Sequence, residues 1–420
     1  MLETIEEAAA SSPATEATPA RWSVLASGSF RKLWGATMLS LLGDFFSYVA
    51  MAWLVLELTG SSLALGTVLV VQALPRAVLM VVGGALTDRL SARTTMLGSM
   101  GLRAAVVAPL ALLVITGRVQ LWEVYVVAAV FGIVDAFFMP ARGAILPQVV
   151  NTRELESGNA LLNVTSQASV ILGPLLGGVV IAAYGIGWAF AADAAAFVLG
   201  LLLVLWLPAP ARSAAAGGRA AGLGGQIVDG LRYAWSDFGI RTVLIVVAVI
   251  DFAANGALGV GLPTLAHGRF GAGAPGLGVL FAAVGVGATI GALGAGFVPP
   301  PKRFGYLIVF LCVWLGVGLA LVGVLPSLAP AAVVMGLTGI GTGVVNTYGI
   351  SWLQRRTLPE MQGRVMSLVM LASMGLTPLS YAASGAIAQV NPSVLFLIAG
   401  GMALLCGAGA LVSRQVRALT

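Results

Sequence analysis

Residues 83–97 read GGALTDRLSARTTML. Apolar runs flank this stretch near 62–86 and 94–116, and each exceeds the ~20 residues that a helix needs to cross a bilayer. The stretch is therefore a short turn between two spans, with Asp88, Arg89 and Arg93 gathered at the membrane surface. The same alternation of long apolar run and brief polar turn continues over the 420 residues, of which 59% are apolar and only 9% charged. A mean hydropathy of +0.99 belongs in a bilayer and excludes an ordinary soluble domain. A dozen spans of ~20 residues would use roughly 240, so the arithmetic also excludes a single-span receptor. Continuous apolar runs and 55 glycines argue against an outer-membrane barrel, whose strands alternate in short segments. Cys312 and Cys406 fall inside apolar runs, so no disulfide framework is expected.

A window of about 19 residues finds spans near 34–57, 62–86, 94–116, 121–146, 155–184 and 187–208, then near 241–263, 275–298, 304–325, 328–353, 364–389 and 393–413. The fold class expected is all-α and integral to the membrane, with twelve transmembrane helices in two pseudo-symmetric six-helix bundles. The organisation read from the sequence is a disordered tail (1–30), an amino-terminal bundle (31–208), a linker (209–240), a carboxy-terminal bundle (241–414) and a short tail (415–420). The first twenty residues are acidic, with no basic segment ahead of an apolar core, so they read as a tail and not a signal peptide. The linker opens with flexible ARSAAAGGRAAGLGG and continues as QIVDGLRYAWSDFGIR, in which Ile227, Leu231, Ala234, Trp235 and Phe238 recur at helical spacing. The second part is expected to be an amphipathic helix lying on the membrane surface. Of the 22 basic residues, 18 fall on one side of a twelve-span arrangement, two (Arg118 and Arg269) on the other, and Arg76 and Arg103 inside spans. By the positive-inside rule both termini and the linker are cytoplasmic.

The two groups of spans repeat each other. A shift of 207 lays Asp44-Phe45 on Asp251-Phe252, Gly84-Ala85-Leu86 on Gly291-Ala292-Leu293, and Gly132-Ile133 on Gly339-Ile340; a shift of 204 pairs Glu156 with Glu360 and Pro174 with Pro378. Both halves then enter from the cytoplasm, as parallel repeats do. Gly84, Asp88, Arg89 and Arg93 fit the pattern G-x-x-x-D-R-x-x-x-R between the second and third spans, and in this the chain resembles the major facilitator superfamily. Ser91 and Ala92 stand where the fullest form of that motif has Gly and Arg. The resemblance implies a cytoplasmic latch in which Asp88 accepts from the exposed N–H groups at the start of the eleventh span, around Gln362 to Arg364, where the helix dipole is positive. The alternative is that Arg89 and Arg93 only satisfy the positive-inside rule. Ala295 occupies the equivalent position in the second half, so the latch is one-sided. Gly173, Pro174, Gly177 and Gly178 on the fifth span are similar to the G-P-x-x-G-G element of proton-coupled exporters, although a kinked packing helix accounts for them equally. Segments 43–62, 140–163 and 353–368 resemble the branch that holds macrolide-efflux proteins and enterobactin exporters among drug:proton antiporters.

Ionisable residues inside spans are costly and point to function. Asp44, Arg76, Arg103 and Asp135 all lie roughly 12–16 Å deep, counted at ~1.5 Å per residue, and their charges sum to zero. They are expected to form a buried network, either a proton-handling one or a permanently ionised one that fixes helix packing. Asp251 has no intramembrane Lys or Arg in its half to neutralise it. It can carry a proton, or it can merely hydrogen-bond to Asn255 one turn away. Asp44, Asp251 and Asp135 are the candidates for proton coupling. Asp193, Glu57 and Glu123 are expected to be solvated, and His267 to lie on the outer surface.

The resemblance also implies that spans one, four, seven and ten line a central cavity, with Trp53, Phe137, Phe138, Phe252, Asn255, Asn346 and Tyr348 as candidates to face it. Aromatic rings with a few amides suit an amphipathic organic molecule. The function expected is proton-driven export of hydrophobic or amphipathic compounds, drug-like or siderophore-like, from a bacterial-type cytoplasmic membrane. A lipid or lysophospholipid flippase of the same fold is the alternative, and a non-transporting sensor is disfavoured because the longest loop has only about 30 residues. No nucleophile motif, metal cluster or phosphate loop suggests an enzyme, and no Walker element suggests ATP. The partners expected are the amphipathic substrate, protons and membrane lipids, with no cofactor, no metal, no nucleic acid, and a monomeric chain.

Overall fold

The structure, a computed structural model, describes residues 23–87, 91–208 and 223–419. Asp88 and Arg89 lie outside the described residues, as does most of the tail read over 1–30. Six helices form the amino-terminal half: α1 (Gly28–Thr59), α2 (Ser62–Thr87), α3 (Ala92–Ile115), α4 (Leu121–Val149), α5 (Leu155–Tyr184) and α6 (Ile186–Leu205). After the linker helix α7 (Leu223–Ser236) come α8 (Phe238–Gly256) and α9 (Leu262–His267), joined through a π-helical turn at Ala257–Gly261 into one span. Then follow α10 (Gly273–Phe297), α11 (Phe304–Val324), α12 (Leu328–Arg356), the broken pair α13 (Gln362–Gly375) and α14 (Thr377–Val390), α15 (Pro392–Val412) and the short α16 (Arg414–Arg417). Among the described residues, twelve helices are long and apolar enough to cross a membrane, at the positions read from hydropathy. The chain is a multi-pass, all-α membrane protein.

Helix ends follow local chemistry. Ser27 caps α1 by accepting from the Phe30 N–H, and Asp237 caps α8 by accepting from the Ile240 N–H at 2.9 Å. At Gly60 the backbone turns to φ 61°, a left-handed conformation that ends α1 and that glycine adopts without steric cost. Within each half, glycines let corresponding helices approach closely. A side chain at Gly132 of α4 would strike the backbone of Gln72 in α2, and one at Gly339 of α12 would strike the backbone of Val284 in α10. These two glycines are the pair that the repeat superimposes.

Packing between the halves is one-sided. At the end away from the termini, a single apolar core runs from Val49, Phe190 and Phe197 through Leu265 and Leu277 to Phe396 and Ala399. At the other end each half has its own core, one around Phe30, Met96 and Ile145, the other around Ile240, Phe304 and Leu353. The seam at the end away from the termini is sealed by α5 against α10, where Gly178 meets Ala274 and Pro275, and by α2 against α14, where Gly66 meets Gly385. Polar contacts join there too: Ser61 Oγ donates to Gln389 Oε1 at 2.9 Å, and Thr264 to Ser62 Oγ at 3.1 Å.

The linker helix packs against protein on one side. α7 docks on the carboxy-terminal half: Ala234 is fully buried, Gly230 lies against Arg364 of α13, and Asp229 pairs with Arg364 at 3.6 Å. Its apolar face is divided: Ala234 packs on the carboxy-terminal half, while Leu231 and Trp235 stay exposed. The chain end also folds back, with the Gly305 N–H donating to the Leu419 carbonyl.

Candidate functional site

The amino-terminal site is built around Arg103. The buried face of α3, with Met96, Met100, Val107 and Leu110, carries this guanidinium into the bundle, where it is fully buried. Its Nη1 donates to Asp44 Oδ1 of α1 at 2.9 Å, and its Nη2 donates to Asp135 Oδ1 of α4. Arg76 of α2 stands 3.8 Å from the second oxygen of Asp135. The four residues expected to form a network thus meet in one place. Phe131, Phe138 and Phe197 surround the guanidinium with ring centres 5.3, 4.9 and 5.3 Å from its carbon, on the faces that attract cations. Paired charges and aromatic faces together offset the cost of removing an arginine from water. The Asp44 side chain keeps 29% of its surface exposed and that of Asp135 19%, so both acids remain within reach of water while their arginine does not.

Asp193 corrects an expectation. Placed near the outer end of α6 by sequence, it was expected to be solvated, yet it is fully buried. It lies seven residues, or ~10 Å, inside the helix, on a stripe with Gly187, Phe190, Phe197 and Gly200 that packs toward α1 and α3. Space for the carboxyl exists because Gly43 has no side chain. Ser47 Oγ donates to Asp193 Oδ2, while Oδ1 has no partner among the described residues. Spacing of that stripe at three and four residues is the signal that places Asp193 on the inner face.

In the carboxy-terminal half Asp251 of α8 has a different partner from the one expected. Ser373 of α13, and not Asn255, donates to its Oδ2. Asn255 directs its Nδ2 to the Ser373 carbonyl at 3.5 Å and to Thr377 Oγ1 at 3.3 Å. These contacts sit at the break between α13 and α14, just before Pro378, where side chains serve backbone groups that an interrupted helix leaves. Asp251 forms no ion pair with Lys or Arg among the described residues. It opens instead onto a cavity of about 360 Å³ inside the bundle, walled by α8, α11, α12 and α13. Val247, Ile250, Leu311 and Leu315 are among the apolar walls; Asp251, Asn255, Thr342 and Asn346 are among the polar members.

The other expected cavity residues lie elsewhere. Trp53 is buried near the C-terminal end of α1, where its Nε1 donates to Glu57 at 2.9 Å and its ring meets His267 edge-on at 5.0 Å. Phe138 packs on Arg103, and Tyr348 donates its hydroxyl to the Val298 carbonyl at 2.9 Å. Phe137 and Phe252 are half-buried on α4 and α8, and neither lines the cavity around Asp251. His267 itself is exposed.

Of the turn motif, Gly84 ends within α2, and Arg93 binds the last carbonyls of α6, donating to Leu205 O at 2.8 Å and Val204 O at 3.3 Å. A cation at a helix C-terminus complements the dipole. The helix-five element divides its faces: side chains at Gly173 or Gly177 would collide with Phe45 or crowd Phe46 of α1, while Pro174 and Gly178 touch α10 of the other half at Gly278 and Ala274.

Comparisons with known proteins agree with this architecture. The model of the family described as Transmembrane secretion effector matches residues 19–420. The chain is 27% identical over 362 residues to the multidrug efflux pump Tap of Mycolicibacterium fortuitum, covering 83% of this chain and 86% of that one. It is 26% identical over 340 residues to the enterobactin exporter EntS of Shigella boydii, covering 78% and 77%. Among solved structures, the nucleoside transporter NupG superposes with a TM-score of 0.72 at 12% identity, over 91% of this chain and 98% of that one. The peptide transporter POT in complex with sulfate superposes with 0.70 at 15% identity, over 95% and 99%.

Proposed function

Because the chain belongs to the Transmembrane secretion effector family, within the major facilitator superfamily, we propose that it exports hydrophobic or amphipathic small molecules in exchange for protons. The observation that carries this reading is the pair of pseudo-equivalent acids. Asp44 and Asp251 occupy matching places on the first helix of each half, one joined to a buried arginine and the other without a cation among the described residues. A carboxyl that is charged in one stage and protonated in another can couple proton entry to cargo exit. Asp135, sharing Arg103 with Asp44, lets the network pass its arginine between two acids as one of them takes up a proton. The names of the relatives, an efflux pump and a siderophore exporter, favour outward movement of cargo.

In this reading the termini and α7 face the cytoplasm of a bacterial-type cell, the chain works as a monomer among lipids, and the outer seam is shut. Cargo enters from the cytoplasmic side, and parting of α5 from α10 and of α2 from α14 opens the exit. Asp88 and Arg93 act at the cytoplasmic turn, and the glycines of helix five let the halves rock against each other. Gradient-driven transport in proteoliposomes tests the coupling. Asp44→Asn and Asp251→Asn are each expected to lose gradient-driven transport at least tenfold, with downhill exchange retained in Asp44→Asn, since a group that must charge and discharge is removed. Undiminished gradient-driven transport in both variants takes these acids out of the coupling role.

A further inference from the structure

The halves place different things beside their matching acids. In α3 the buried Met96, Met100, Arg103 and Ala104 face the bundle interior, and in α11, the corresponding helix of the other half, the buried Phe304, Ile308, Leu311 and Cys312 do so. Leu311 of α11 borders the cavity beside Asp251 as Arg103 of α3 borders Asp44, and the repeat sets Thr342 opposite Asp135. Both Leu311 and Thr342 line the cavity around Asp251. The amino-terminal bundle fills this space with a guanidinium held by two carboxylates. The carboxy-terminal bundle keeps one carboxylate, loses the guanidinium and leaves about 360 Å³ open.

We propose that this cavity is a binding site for a lipophilic organic cation, whose charge takes the place beside Asp251 that the Arg103 guanidinium takes beside Asp44. The volume falls within the ~300–1,000 Å³ of small-molecule sites, and the walls are predominantly aliphatic, as such sites require. A strongly hydrated inorganic cation would need several oxygen ligands in place of its water, and one carboxylate with two amides is a poor cage for it. An organic ammonium or phosphonium with apolar substituents gives up little water and gains the aliphatic walls. Asn255 spends its Nδ2 on Ser373 and Thr377, which leaves its amide oxygen as an acceptor for N–H groups of a protonated amine. The inference rests on the export reading in treating this ligand as cargo, although the site is defined without it.

Equilibrium binding to the purified full-length chain in detergent, with no gradient, tests the site using two ions of the same shape and opposite charge. Tetraphenylphosphonium is expected to bind saturably, and tetraphenylborate to compete at least about thirtyfold more weakly, because a buried carboxylate attracts one and repels the other. Asp251→Asn is expected to weaken phosphonium binding about tenfold or more, and Asp251→Glu to retain most of it. Leu311→Arg, which supplies the missing guanidinium from the chain, should abolish it. Equal affinity for the two ions, unchanged binding in a folded Asp251→Asn protein, or no saturable phosphonium binding by the native chain overturns the proposal. The charge comparison on the native chain decides the matter even if a variant does not fold. A chain that binds the cation and exports nothing refutes the export reading alone; one that exports amphiphiles and binds no cation refutes the site alone.

Discussion

The interiors of the two six-helix bundles descend from the same pattern and solve it differently. Around Asp44 the space is occupied by Arg103, a second acid and three phenylalanine rings, so charge is neutralised within the chain. Around Asp251 there is a serine hydroxyl, an open cavity and no cation among the described residues. One bundle pairs its acids with arginines of the same half, while the other leaves a charge to be answered by a proton or a ligand. The difference separates a charge held in ion pairs from a charge that faces an open cavity, although the acids themselves occupy equivalent places.

The largest expected effect comes from breaking the filled half. Arg103→Leu leaves Asp44 without its ion pair and Asp135 with only Arg76 at 3.8 Å, and should cost about 3–5 kcal/mol, read as a sharply lowered thermal stability in detergent. Adding Asp44→Asn and Asp135→Asn should recover most of that loss. A single Arg103→Leu protein as stable as the parent would mean that the two interiors do not differ as described. Next comes the seam away from the termini, where both halves meet. Gly178→Leu places a side chain against the backbone at Ala274, 2.7 Å from a Cβ, and overpacking of this kind costs about 1–3 kcal/mol. Disulfide formation between cysteines introduced at Ser61 and Gln389 should fall severalfold in that variant, and an unaltered yield would show that the seam does not depend on this close approach.

A smaller contrast sets Ser47 against Ser373, each donating to a carboxyl. Ser47→Ala strands a fully buried Asp193 and should cost about 1–3 kcal/mol. Ser373→Ala should cost less, because Asp251 faces a cavity. Equal losses in melting experiments would erase that distinction. The smallest effect concerns the caps of the two first helices, neutral Ser27 and charged Asp237. Burial raises the Asp237 carboxyl, but Arg356, with its Nε at 3.0 Å, and the N–H groups of Ile240 and Gly239 outweigh this and hold it below the usual carboxylate range. A depressed folded value means that the stabilisation is complete above the unfolded value of ~3.9 and fades as pH falls through the folded one. Asp237→Asn should therefore lose about 1 kcal/mol at neutral pH and approach the parent in stability as pH drops below about 4. A constant difference across that range would contradict the assignment.

Much of this was legible in one dimension. Twelve apolar runs and their polar turns correspond to helices with ends within a few residues, because bilayer thickness sets a length that hydropathy reports directly. Asp44, Arg76, Arg103 and Asp135 could be grouped because each lies at similar depth and an unpaired intramembrane charge is expensive. Asp193 was misjudged because depth along a helix does not say which way a side chain faces, and only Gly43 opposite it makes the room. Phe138, expected beside cargo, instead sits on Arg103, since an aromatic ring in an apolar run carries no label for its neighbour. α7 is helical where the spacing placed it, but that Ala234 of its apolar face packs into the core with Ile240 and Val365 is a contact between distant segments that periodicity does not name.

The sequence by itself determined the number and position of the spans, the one-sided distribution of basic turns, the repeat, and the few residues whose charge demands an explanation. These are properties of composition and spacing, which a local window can measure. Only the tertiary structure decided that Arg103 is shared by two acids, that Asp251 leans on Ser373 at a helix break, and that a cavity replaces the guanidinium in the second half. Those outcomes depend on which side chains from distant helices fill a common volume, and volume is a property that no single segment possesses.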